Sequence, residues 1–277
     1  MLPTSNYITV EGRELHFMEW GAGNKETVIA WHGLARTGRD MDELAAHLAP
    51  KYRVICPDTI GRGLSQWSPR PEQEYCLAFY AKLAIGLADK LGIGEHHWVG
   101  TSMGGALGIK LAAGEFAGRM RRLVINDIGP KIADAAVNRI RSYAGSPPEF
   151  DTVGELESYF RTVYKPYGWL SDAQWRRLTE SSTRRKENGR VAPHYDPGMV
   201  IQFTAHPDDY ELWDDWERIR IPVLALRGKD SDLLLPEVAR QMTERGPKAK
   251  LVEIPGCGHA PALNVPEQLG LIADFLA

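Results

Sequence analysis

The stretch Trp98-Val99-Gly100-Thr101-Ser102-Met103-Gly104-Gly105-Ala106-Leu107-Gly108 decides how the rest of this chain is read. An apolar run from His97 leads into it, and a run of small residues reaching Ala113 leads out. A strand that stops abruptly and turns into a helix strains the backbone at the central residue and lifts its side chain clear. Glycine on either side leaves room where a side chain would collide with the neighbouring element. G-x-S-x-G arises by chance fairly often, but at a strand–helix junction it points to an exposed nucleophile. A helix N-cap would account for the serine, yet for neither glycine. Ser102 is the expected nucleophile.

Outward from this junction, short apolar runs alternate with helical patterns, the arrangement of a mostly parallel sheet with helices on both faces. On the N-terminal side, strands are expected at Tyr7 to Val10, Leu15 to Trp20, Thr27 to Trp31 and Tyr52 to Cys56. A helix over Asp40 to Ala49 puts Met41, Leu44 and Leu48 on one face, and a longer one runs from Tyr75 to Leu91. On the C-terminal side, strands are expected at Arg122 to Asn126, Pro222 to Leu226 and Leu251 to Ile254, with helices starting at Pro236 and near Pro266.

Between Pro130 and about Arg220 no strand-like run is read, but helical patterns are, at Val153 to Tyr164 and Ser171 to Thr179. Thirteen of the 25 aromatic residues lie there, so this helical insertion reads as a cap over a ligand cavity. Most of those aromatics are expected to pack the cap onto the core. Trp169 is taken as a candidate substrate contact. The expected division is a core of residues 1–129 and 221–277 with a cap of 130–220.

Composition excludes other classes. The 277 residues are 43% hydrophobic and 25% charged, with a net charge of -3. No basic stripe is present to neutralise phosphates, so nucleic acid and anionic membrane are not expected partners. No apolar run approaches the ~20 residues of a membrane span, and Met1 to Glu14 does not read as a secretory signal. Cys56, Cys76 and Cys257 are odd in number and unrelated in spacing, which fits a reducing compartment rather than disulfides or zinc. A cytoplasmic enzyme without metal or cofactor, monomeric or homodimeric, is the expectation.

A serine hydroxyl requires a base to become a nucleophile. His259, in Gly256-Cys257-Gly258-His259-Ala260-Pro261, follows the last strand, at the carboxyl edge of the sheet where such sites lie. His96 and His97 precede the Ser102 strand, at its wrong end, while His16, His47, His194 and His206 fall in other elements. His259 is the expected general base.

With these residues, the chain resembles the α/β-hydrolase superfamily over nearly its whole length, in the branch with a helical cap. The resemblance implies an eight-stranded, mostly parallel sheet. Trp31-His32-Gly33-Leu34 is similar to the family's H-G-x segment, which makes the backbone N–H groups of Leu34 and Met103 the expected oxyanion hole. Asp58-Thr59-Ile60-Gly61-Arg62-Gly63-Leu64-Ser65 resembles the D-x-x-G-x-G-x-S loop, read as architectural, with Asp58 and Ser65 bonding backbone amides. Chain order in the family places a carboxylate between Ser102 and His259 to hold the imidazole. Measured back four positions from Pro236, that acid is Asp232; Asp230 is the alternative in the same loop. Asp127 is a third option, read here as capping the start of the insertion at Ile128-Gly129-Pro130.

Departures from subfamily patterns narrow the chemistry. Serine at 102 disfavours dehalogenases and epoxide hydrolases, whose nucleophile is an aspartate. Hydrolases of carbon–carbon bonds in meta-cleavage products share the G-x-S-M-G-G elbow but carry H-G-x-G-P-G and a tryptophan after the histidine. This chain has Ala35-Arg36 and Ala260 there. Hydrolysis of a small carboxylic ester or lactone is therefore expected. The alternatives are carbon–carbon, thioester or perhydrolase chemistry on the same residues, or a ligand-binding receptor of the same fold. Arg36 is taken as a candidate grip for a substrate carboxylate, against pairing with Asp40 or Asp42.

Overall fold

In the computed structural model, which describes residues 2–277, β1 (Thr4–Val10) and β2 (Arg13–Trp20) form a hairpin. Its two-residue turn, Glu11-Gly12, has φ of 50° and 72°, the left-handed pair that a tight hairpin needs. β3 (Thr27–Trp31), β4 (Arg53–Pro57), β5 (His96–Thr101) and β6 (Met120–Asn126) follow. Two short strands, β7 (Thr183–Arg185) and β8 (Val191–Pro193), pair with each other apart from the main sheet. β9 (Val223–Gly228) and β10 (Lys250–Ile254) complete the main sheet.

That sheet has eight strands in the order β1-β2-β4-β3-β5-β6-β9-β10. The β1–β2 and β2–β4 pairs are antiparallel, and every other pair is parallel. The central strands carry apolar runs that are fully buried, at residues 28–31, 98–99 and 123–125, because both faces are covered. Their alternation sorts side chains between two cores. Ile29, Trp31, Ile55, Trp98 and Leu123 join one apolar cluster with Leu83, Leu87, Leu107 and Leu111. Val28, Ala30, Val54, Val99 and Val124 join the other with Leu44, Leu48, Ile272 and Leu276. The helices over these faces are Leu77–Lys90 and Met103–Ala113 on the first and Asp42–Leu48 and Pro266–Leu276 on the second.

Residues 130–220 add no strand to this sheet, but the segment is not purely helical: β7 and β8 form a hairpin around the exposed turn 186–190. Period-2 patterning is not visible over strands of three residues, which is why they escape a sequence reading. The segment also packs in two parts. Leu156, Phe160, Tyr164, Trp175 and Val191 make a small core of their own. Ile140, Met199, Tyr210 and Trp216 instead join the main core over the Ser102 helix. No helix among the described residues is long and apolar enough to cross a membrane.

Candidate active site

Because β3, β5, β6, β9 and β10 run parallel, the loops leaving them converge on one edge of the sheet. Register does the rest. Thr101 pairs with Asn126 and Asn126 with Leu226, so Ser102 and Asp127 each stand one step beyond the last paired residue of adjacent strands. The Ser102 N–H donates to the Asn126 carbonyl (2.9 Å) and the Asp127 N–H to the Leu226 carbonyl (2.8 Å).

Ser102 has φ 51° and ψ -117°, the strained turn expected of the junction. The flanking glycines are required by contact rather than by φ. A Cβ on Gly100 would lie 2.1 Å from the Gly104 carbonyl oxygen, and one on Gly104 would lie 2.3 Å from that of Trp31. The strain turns the hydroxyl toward the loop after β10, where Ser102 Oγ lies 2.9 Å from His259 Nε2.

His259 Nδ1 lies 2.7 Å from Asp127 Oδ2. The sequence reading places this carboxylate at Asp232, or at Asp230; the structure brings neither to His259. Asp232 instead holds Arg139 in a two-toothed ion pair at 2.8 and 2.9 Å, with both side chains about half exposed. Asp230 is exposed, and its backbone N–H bonds the Cys257 carbonyl. Asp127 is fully buried at a left-handed φ of 56°, and the loop after β9 serves it with donors. The Gly228 N–H reaches Oδ1 at 2.8 Å and the Ser231 hydroxyl donates to Oδ2 at 2.5 Å. With the imidazole N–H, a buried carboxylate thus has three donors, which offset the cost of its desolvation.

The two amides expected as oxyanion donors belong to Leu34, in the loop after β3, and to Met103, the first residue of the Ser102 helix. Neither the Leu34 nor the Met103 N–H has a protein acceptor among the described residues. Two buried side chains hold the Leu34 loop. Arg62, fully buried, donates to the Leu34 carbonyl (2.9 Å), the Ile60 carbonyl (2.7 Å) and the Tyr80 hydroxyl (2.9 Å). Asp58 accepts from the Gly38 and Leu64 amides, and the Ser65 hydroxyl accepts the His16 amide, so this loop is architectural as expected.

His32 is the second anchor, and the sequence reading gave it no role. Its Nε2 accepts the Thr59 N–H at 2.9 Å, so Nδ1 carries the hydrogen and donates to the Gly33 carbonyl at 2.6 Å. That assignment requires a neutral ring, and burial pushes its pKa down to about 4. The unfolded chain, with an ordinary histidine pKa, takes up the proton first as pH falls. This group therefore withdraws stability between about pH 6.5 and 4, by up to about 3 kcal/mol. Urea unfolding at pH 7 and pH 4.5 checks this: the loss on acidification should be about 2–3 kcal/mol smaller in His32→Gln. An equal loss in both proteins would mean that His32 is not held neutral.

Ser102 and His259 open on a cavity walled by Leu34, Tyr143, Tyr164 and Tyr167, with Arg36 and Arg139 its two cations. Burial pushes the three phenols up, so they remain protonated donors. A second cavity abuts the first across Arg36 and Tyr167, lined further by Arg39, Gln174 and Arg177. Arg36 is in the wall, 4% exposed, but its fork is already taken. Nε and Nη2 both hold Asp40 at 2.6 Å, Nη2 also donates to Ser182, and the guanidinium lies over the Tyr164 ring. It has no free bidentate edge for a substrate carboxylate, so the pairing with Asp40 displaces that role. Trp169 is corrected too: its side chain is 70% exposed and lines neither cavity.

The model of the alpha/beta hydrolase family matches residues 28–269, and the chain belongs to that family. It is 37% identical over 269 residues to a 3-hydroxybutyrate-oligomer hydrolase of Cupriavidus necator, an alignment spanning 94% of this chain and 91% of that one. Similarity extends at 26% identity to a 2-hydroxy-6-oxo-2,4-heptadienoate hydrolase of Pseudomonas putida, over 96% and 94% of the two chains. Among solved structures, an alpha/beta hydrolase from Novosphingobium aromaticivorans superposes with a TM-score of 0.87 at 32% identity, over 99% and 98% of the chains. The protein is a hydrolase of this family.

Proposed function

We propose that the protein is a carboxylic-ester hydrolase working through an acyl-enzyme, and that its substrates are short esters of the 3-hydroxyalkanoate kind. The observation that carries this is the hydrogen-bonded chain Ser102–His259–Asp127, at 2.9 and 2.7 Å, below two backbone N–H groups without acceptors. In this reading Ser102 Oγ attacks the ester carbonyl while His259 Nε2 takes its proton. Asp127 fixes the tautomer and stabilises the imidazolium. The Leu34 and Met103 amides bind the oxygen that becomes negative, a contribution of about 2.7–4 kcal/mol per donor in comparable sites. The imidazolium returns the proton to the leaving alkoxide, the C–O bond breaks, and a water activated by His259 repeats the sequence on the acyl group.

The substrate class rests on the 37% identical relative named for 3-hydroxybutyrate oligomers. Such an oligomer is a chain of esters ending in a carboxylate, and the Ser102 cavity is adjoined by a second one across Arg36 and Tyr167. Steady multiple turnover of a 3-hydroxybutyrate dimer is the expected result, followed by separation of the monomer. A single stoichiometric burst on every ester would point to a receptor. Turnover of a meta-cleavage dienoate with esters left intact would assign carbon–carbon hydrolysis.

A further inference from the structure

We infer that Arg139 reads the carboxylate of the substrate, and that Asp232 is the built-in competitor it must leave to do so. The inference rests on the ester-hydrolase reading above and deepens it. Two cations line the Ser102 cavity, each paired with an aspartate, and the Arg139 pair is much the more exposed. Arg36 is sealed in the wall, with its fork on Asp40 and its flat face on Tyr164. Arg139 stands on the helix Asp134–Ala144, which packs inward through Ala136, Ile140 and Ala144, so its backbone is held while its long side chain reaches the rim. There Nε and Nη2 hold Asp232 from the loop after β9, and Nη1 has no acceptor among the described residues.

Exposure decides which partner prevails. The Arg139 and Asp232 side chains are 45% and 56% exposed, so water and salt screen the pair and little holds it together. A substrate carboxylate arrives already positioned by the ester bond at Ser102. It can therefore engage the same fork bidentately without the entropy cost that a free anion would meet. Asp232 thereby holds the guanidinium at the rim and yields when an anion enters.

The test compares the 3-hydroxybutyrate dimer with its C-terminal amide, which keeps the scissile ester and removes the charge. Arg139→Gln is expected to lower the acid-over-amide ratio of kcat/KM about tenfold or more, chiefly through KM. Asp232→Asn removes the competitor and is expected to raise the same ratio severalfold, the opposite sign. If both substitutions lowered turnover of the two substrates alike, the pair would be a latch between helix and core, and the proposal would be overturned. If neither dimer were cleaved while 4-nitrophenyl acetate was, the substrate class would fall, and inhibition of that turnover by 3-hydroxybutyrate would decide. Arg139→Gln must then weaken inhibition about tenfold, and an unchanged inhibition constant overturns the inference.

Discussion

Ser102→Ala is expected to lower kcat on any ester the protein turns over by at least ~10³-fold, with the fold unchanged. The hydroxyl makes no hydrogen bond except to His259, so its loss leaves no buried group without a partner. Alanine at φ 51° bears the same backbone strain as serine. Stability therefore changes little while chemistry stops, and far-UV circular dichroism beside initial rates separates the two. Retention of a tenth of the wild-type rate would place the nucleophile elsewhere.

Asp127→Asn is expected to cost nearly as much, ~10³–10⁴-fold in kcat, because an amide N–H facing Nδ1 favours the wrong imidazole tautomer. The Gly228 amide still finds the side-chain oxygen, so the loop after β9 stays in place. The same change at Asp230, whose side chain is exposed and makes no bond to the imidazole, is expected to stay within a few-fold of wild type. Rates of the two variants on one neutral ester provide the comparison. Equal rates, or a larger loss at Asp230, would return the carboxylate role to the loop after β9.

The contrast between these aspartates marks where the sequence stops being legible. The pairing of Ser102 with His259 could be read because chemistry constrains the residues around them. Gly100 and Gly104 leave no room for a Cβ, and His259 is the histidine that follows the last strand. The sheet could be read because central strands covered on both faces carry unbroken apolar runs, as at residues 28–31. The acid could not, because Asp127, Asp230 and Asp232 all leave the same edge of the sheet on neighbouring strands. Spacing to Pro236 measures chain length and not side-chain direction. What distinguishes Asp127 is register, one step past Asn126 and level with Ser102, which is a property of the assembled sheet. Ser231, read as part of a loop offering an acid, instead donates to the acid on the next strand. Arg36 and Arg139 illustrate the same limit, since both are arginines near the site and only their partners tell them apart.

The most direct measurement of the central claim is intact mass spectrometry of the protein quenched in acid during steady turnover of a 3-hydroxybutyrate ester. One added acyl group per chain is expected, mapped by digestion to the peptide containing Ser102. It should accumulate further in Asp127→Asn if deacylation slows more than acylation, and be absent from Ser102→Ala. Sustained ester turnover with the adduct on any other residue, or with Ser102→Ala turning over and acylating like wild type, would contradict it.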